Sequence, residues 1–302
     1  MRSKAVSTIG TCLLLVLGCA TETAAIQRPR FAVADVKASK TAHREVPTST
    51  TLEAVANLRG GYFRGMVGRT YSVGMAVQGC AELVQSFRGD QDPNLALLQK
   101  AKGATILSIA LTPLLVYFKD MEALTAVAAS LAPRYIFMLG LALVDRQKVQ
   151  ARMERLAPAY VICTIWALAV VKNGDTTLNP FKLEALTGAK LIGYQLLVAG
   201  SGLFLATELQ GKLLNLDVPA NKAFGDALGE QGILDTTDGI IKLAIILYGP
   251  AKSMGLACLA WFVMQCVNTK VMKRRPGGSA MKVHLQLIGA LLGGLYLAKL
   301  KT

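Results

Sequence analysis

Histidine is nearly missing from this chain: two occur in 302 residues, His43 and His284. Membrane desaturases, hydroxylases and zinc hydrolases need clustered imidazoles, so those chemistries are excluded. His284 stands at the edge of the last apolar block and reads as an interfacial residue. Cysteine is almost as uninformative. Cys12 and Cys19 fall in the first 25 residues, and Cys80, Cys163, Cys258 and Cys266 form no CxxC pair. These four lie in apolar segments and are expected to pack as buried free thiols.

Charge is also scarce, and one sign is scarcer: 17% of residues are charged, with 19 acidic against 33 basic, a net +14. A basic chain suggests nucleic acid or an anionic membrane surface. Here the lysines and arginines gather in short connections, only 6% of residues are aromatic, and no nucleic-acid module is recognisable. Membrane orientation explains the charge, and no nucleic-acid partner is expected.

What is abundant is apolar sequence, 53% of the chain, with mean hydropathy +0.42. It is segregated into blocks at about 71–87, 103–118, 121–144, 156–171, 189–209, 239–267 and 283–298. Such segregation is the pattern of a chain in contact with lipid. The expected fold is all-α, a polytopic transmembrane bundle of about six or seven helices over residues 61–302, with membrane lipids as its surroundings. The 239–267 block is too long for one straight crossing and carries Gly249-Pro250, where a break is expected.

Residues 1–25 have Arg2 and Lys4, an apolar run from Ile9 to Leu17, and small residues to Ala25. That is the layout of a secretory signal peptide, too short to span. Residues 26–60 show no periodicity and read as a disordered targeting or linker segment. A signal peptide followed by such a segment, with Phe31 as its aromatic, resembles the two-part leaders of plastids acquired by secondary endosymbiosis. The resemblance implies an organelle membrane reached through the secretory pathway. A plain signal with a flexible tail, and an endomembrane or plasma-membrane destination, is the alternative. Removing residues 1–60 takes away eight basic and four acidic residues and leaves 25 against 15, still +10.

Two connections are strongly basic: 145–155 with four basic residues and 268–282 with five. The positive-inside tendency places both on one side. Three crossings between them would separate them, so one intervening block crosses twice or not at all, and the proline-broken one is the first suspect.

Phe118–Thr125 reads FKDMEALT and Phe181–Lys190 reads FKLEALTGAK. The echo is either coincidence or a repeated entry into a membrane helix within repeated helical hairpins. If it is a repeat, the helices starting near Met121 and Leu183 run parallel.

Four ionisable residues inside or beside apolar blocks are candidate binding groups: Arg134, Lys242, Glu82 and Glu208. Charges at membrane depth are costly and are paired or functional. Arg134 lies mid-block, with Glu82 or Glu208 as the expected partner, unless Pro133 breaks the segment and leaves it at headgroup depth. Asp235 and Asp238, in DTTD, are a weak alternative as metal ligands for a diphosphate substrate, against a role as a helix cap before residue 239. Gly289 and Gly293 form a GxxxG that permits close approach of a helix, within the chain or from a partner. No cofactor is indicated. The expected function is a non-enzymatic one, either movement of a small anionic or amphipathic solute or a structural membrane subunit. The alternative is a membrane-embedded transferase acting on a lipid or diphosphate.

Overall fold

The computed structural model describes residues 49–87, 92–144, 156–173, 184–209, 222–274 and 280–298, with side chains from residue 65 onward. The expected signal peptide, the targeting segment as far as residue 48 and the basic 145–155 connection lie outside these residues. Eight long helices make up the described chain: α1 (Ser49–Ser86), α2 (Pro93–Lys119), α3 (Ala123–Val144), α4 (Ala157–Asn173), α5 (Ala185–Leu205), α6 (Lys222–Tyr248), α7 (Pro250–Lys270) and α8 (Ala280–Ala298). The fold is all-α. Seven apolar blocks become eight helices because the 239–267 block divides between α6 and α7. α1 already begins at Ser49, so the boundary drawn at residue 60 falls inside a helix.

Local chemistry sets the helix ends. Asp92 caps α2, its carboxylate accepting from the backbone N–H of Asn94 at 2.7 Å and Leu95 at 3.3 Å, with Pro93 at the first position. Gly249 separates α6 from α7 at φ 76°, ψ 174°, and Pro250 opens α7. That conformation is essentially reserved for glycine. The proline, lacking an N–H, is suited to a helix start.

Glycine contacts establish the directions. A Cβ built on Gly79 or Gly103 would meet Leu107 or Leu83, so α1 and α2 are antiparallel. Gly193 faces Leu243 while Gly200 faces Gly232 and Thr236, which makes α5 and α6 antiparallel. Gly255 faces Ala298 and Gly294 faces Leu259, so α7 and α8 are antiparallel as well. α2 and α6 run parallel: Lys102 meets Glu230, Ser108 meets Asp238, and Thr112 meets Lys242. α6 and α7 fold back on each other, with Glu230 and Leu234 sharing a chamber with Gln265 and Trp261. The proline-broken block thus forms two antiparallel helices, and the ends of α3 and α7 come to the same end of the bundle.

The helices starting at Ala123 and Ala185 run parallel, as a repeat requires, although one intervening helix gives that result in any up-and-down chain. The EALT echo marks equivalent helix starts: Ala126 N–H donates to the Glu122 carbonyl at 2.8 Å and Gly188 N–H to the Glu184 carbonyl at 3.0 Å. The faces buried differ, since Leu124 is buried and Leu186 half-buried.

Among the described residues, five helices are long and apolar enough to cross a membrane: α2, Ala123–Leu143 of α3, α5, α7 and Met281–Ala298 of α8. The outer helices turn apolar stripes outward: Ile162, Ile165 and Leu168 on α4, Leu191, Tyr194 and Val198 on α5, and Leu285, Ile288, Leu292 and Leu295 on α8. Large apolar side chains facing out at helical spacing belong in lipid. With three smaller ones beside them, two large apolar clusters dominate the described interior. One joins α3, α4 and α5 around Leu131, Trp166 and Ala189; the other joins α2, α6, α7 and α8 around Ile109, Ile241 and Met254.

Candidate functional site

Between those clusters the paired helices α2 and α6 carry polar residues at helical spacing. On α6 these are Gln231, Asp235, Asp238 and Lys242, at i, i+4, i+7 and i+11, one face of the helix. On α2 they are Lys102, Thr105, Ser108 and Thr112. α3 adds Ser130 and Arg134. Because these groups point inward, α6 can lie at the centre of the bundle while being too polar to count among the spanning helices by composition.

Arg134 is buried and forks across two carboxylates. Its Nη2 donates to Asp235 Oδ1 at 2.6 Å and its Nη1 to Asp238 Oδ2. Lys242, fully buried, pairs with Asp238 Oδ1 at 2.9 Å and donates to the Ser108 carbonyl at 2.9 Å and to Thr112 Oγ1. Ser108 Oγ donates to Asp238 Oδ2 at 3.1 Å. Gln231 Nε2 donates to Asp235 Oδ1 at 2.8 Å and to Thr105 Oγ1 at 2.9 Å. Thr112 and Ser130 hydroxyls lie 2.8 Å apart, completing the link from α2 to α3. Two cations and two carboxylates make the cluster neutral, and the Ser108 hydroxyl and Gln231 amide add hydrogen bonds to the carboxylates, which offsets the cost of keeping charges out of water; Arg134 Nε and Gln231 Oε1 have no partner among the described residues.

Arg134 and Lys242 are therefore brought together. The expected partner of Arg134 is corrected: Asp235 and Asp238 take that place instead of Glu82 or Glu208. Glu208 is exposed just beyond α5, and Glu82 lines a separate chamber. α3 passes through Pro133 without ending, which removes the headgroup-depth arrangement for Arg134. The DTTD sequence is not a cap, since α6 begins thirteen residues before Asp235, at Lys222. Among the described residues no group of three or more His, Cys, Asp and Glu side chains is arranged to hold a metal ion.

A cavity of about 360 Å³ lies beside this network, walled by α1, α2, α6, α7 and α8. Its lining is mostly apolar, including Met75, Ile109, Leu234, Met254 and Trp261. A smaller chamber of about 50 Å³ shares Gln78, Ile106, Leu234, Trp261 and Gln286 with it and adds Glu82, Lys102, Glu230, Gln265 and Lys282. Lys102 Nζ sits 2.9 Å from Glu230 Oε2 there. Sequence reading missed the cavity, and the signal for it was weak: glutamines at 78, 265 and 286 scattered over three apolar helices.

The GxxxG glycines face α1. The Tyr71 hydroxyl donates to the Gly289 carbonyl, and a Cβ on Gly293 would collide with the Tyr71 ring and hydroxyl. The close approach is used within the chain. Cys163 and Cys258 are buried free thiols, as expected, whereas Cys80 is exposed on α1 and Cys266 half-buried. At the bundle end where α5 and α7 finish, Arg274 donates to the Phe204 carbonyl at 2.8 Å and Thr207 Oγ1 at 2.6 Å, tying those two helix ends together.

The architecture and outward apolar stripes define a multi-pass helical membrane protein. The chain matches no family model, no curated protein and no solved structure.

Proposed function

We propose that this protein binds and carries a small amphipathic solute within the membrane, as a non-enzymatic carrier. The observation behind this reading is the cavity of about 360 Å³ that continues into a polar chamber. Pockets of roughly 300 to 1,000 Å³ suit small organic ligands. An apolar body in the larger space with a polar head in the smaller one matches the lining of both.

The transferase alternative needs Asp235 and Asp238 to offer carboxylate oxygens to a divalent cation. Both are engaged by Arg134, and Asp238 also by Lys242, so a metal would have to displace a guanidinium and an ammonium from a buried site. In this reading the charge network is the rigid wall that holds α2, α3 and α6 together beside the cavity. For residence, we take the leader at its two-part resemblance: a cleaved signal peptide and an organelle membrane, with the plastid as destination. N-terminal sequencing and localisation of the mature protein check this, and an intact Met1 overturns it.

The carrier reading is tested with protein reconstituted in liposomes and a fluorescent single-chain amphiphile. The protein should speed transfer of the probe between leaflets or vesicles, and Gly74→Phe should abolish that gain. Gly74 lines the cavity and a Cβ there meets nothing within 4 Å, so the substitution fills space without disturbing a helix contact. Transfer untouched by Gly74→Phe, or turnover that requires a divalent metal and is lost in Asp235→Asn, overturns the carrier.

A further inference from the structure

Taking the cavity as a solute site, we infer that the solute's headgroup is uncharged and hydroxyl-bearing, and that Gln265 on α7 reads it. Gln265 is 7% exposed and lines the small chamber, and its Oε1 has no hydrogen-bond partner among the described residues. A buried amide carbonyl left unpaired is disfavoured, and a hydroxyl donated to it removes the penalty.

The charges around it select against an ionic head. Glu82, Glu230, Lys102 and Lys282 all line the chamber, two carboxylates against two ammoniums, and Lys102 is paired with Glu230, so its charge is balanced. An anion would have to compete with Glu230 for Lys102 and would face Glu82. A cation would meet Lys102 and Lys282. An uncharged head displaces no ion pair, and Gln78 and Gln286, at the junction of the two spaces, offer amide donors and acceptors to further hydroxyls. A volume of about 50 Å³ admits a head of a few heavy atoms, on the order of four water-sized groups. The apolar chain then extends into the larger cavity along Leu234, Met254 and Ile109. A monoacylglycerol, one acyl chain on a glycerol head, has this chemistry.

Trp261 lines both spaces, and the chain's other tryptophan, Trp166, is buried on α4 against Gly188 of α5. In the Trp166→Phe protein, placed in phosphatidylcholine nanodiscs, Trp261 fluorescence reports cavity occupancy by bromine-bearing probes. The same protein with Gly74→Phe measures quenching from the surrounding bilayer. Brominated monoacylglycerol should quench saturably, about tenfold more tightly than a brominated fatty acid or a brominated alkyltrimethylammonium. Gln265→Leu should weaken it about tenfold, the loss of one hydrogen bond to a buried acceptor. It should leave the two ionic probes unchanged and the melting temperature no lower. Equal or tighter binding of an ionic probe, or monoacylglycerol affinity untouched by Gln265→Leu, overturns the headgroup assignment and leaves the cavity reading standing. No saturable quenching by any of the three probes means that water alone fills the chamber, and both readings fall.

Discussion

Arg134 on α3 and Asp235 on α6 meet at 2.6 Å, with side chains 5% and 14% exposed, 101 positions apart in sequence. Each makes the other tolerable. A guanidinium at this depth without carboxylates, or the carboxylates without it, would be an uncompensated charge in a low-dielectric interior.

Arg134→Leu should therefore lower unfolding stability by about 3–5 kcal/mol, the usual consequence of removing one partner of a buried pair. Arg134→Lys should recover little of it, because one ammonium cannot reproduce the fork that spans Asp235 and Asp238. In a cycle with Asp235→Asn the two changes should couple by about 0.5–3 kcal/mol. Denaturation in a mild detergent measures all three. Wild-type stability in Arg134→Leu would place the arginine at the membrane surface.

Gly249→Ala isolates backbone strain from crowding. Nothing lies within 4 Å of a Cβ at this position, yet φ is 76° with an extended ψ. The alanine protein should lose about 1–3 kcal/mol in the same assay. A neutral result would mean that the α6–α7 connection is free to adopt another backbone path.

Gly200 and Gly232 let α5 and α6 touch backbone to backbone. A Cβ on Gly200 would sit 2.5 Å from the Thr236 nitrogen, and one on Gly232 would sit 2.5 Å from the Phe204 nitrogen. Neither neighbour is a flexible side-chain end, so each alanine should destabilise by about 1–3 kcal/mol. Gly140→Ala on α3, where nothing lies within 4 Å, should be neutral or slightly stabilising. Melting temperatures of the three variants make the comparison.

Topology is testable by labelling. The ends of α3 and α7 lie together, and the α2–α3 turn lies at the other end. In protein lacking its native thiols, single cysteines at Leu143 and Lys273 should react with an impermeant maleimide from one side of sealed vesicles, and a cysteine at Asp120 from the other. The Lys273 side should be the cytoplasmic or equivalent one, since basic connections are retained there. Opposite labelling of Leu143 and Lys273 contradicts the hairpin made by α6 and α7.

Much of the architecture was legible because lipid imposes simple demands on sequence. Helix-length apolar blocks, the Gly249-Pro250 interruption and the two basic connections each follow from local physics: backbone groups must be satisfied within a helix, proline cannot donate, and lysine and arginine stay with water. Together they required one block to cross twice or not at all and pointed to the Gly249-Pro250 block, which the structure divides into the antiparallel helices α6 and α7. Arg134 and Lys242 stood out for the same local reason, a charge within an apolar run.

What only the tertiary structure decided is which charges meet. Gln231, Asp235, Asp238 and Lys242 lie on one face of α6, a periodicity visible in the sequence once residues 222–248 are taken as a single helix. Low hydropathy hid that helix, because its polar side chains are satisfied by α2 and α3 and not by water. Glu82 and Glu208 were plausible partners for Arg134 by charge alone, but partner choice depends on crossing geometry between helices far apart in the chain. Nothing in the composition of α2, α3 or α6 records that geometry. The cavity is of the same kind: it is space left where five helices fail to fill the volume between them, and side-chain volumes become space only after the helices have been placed.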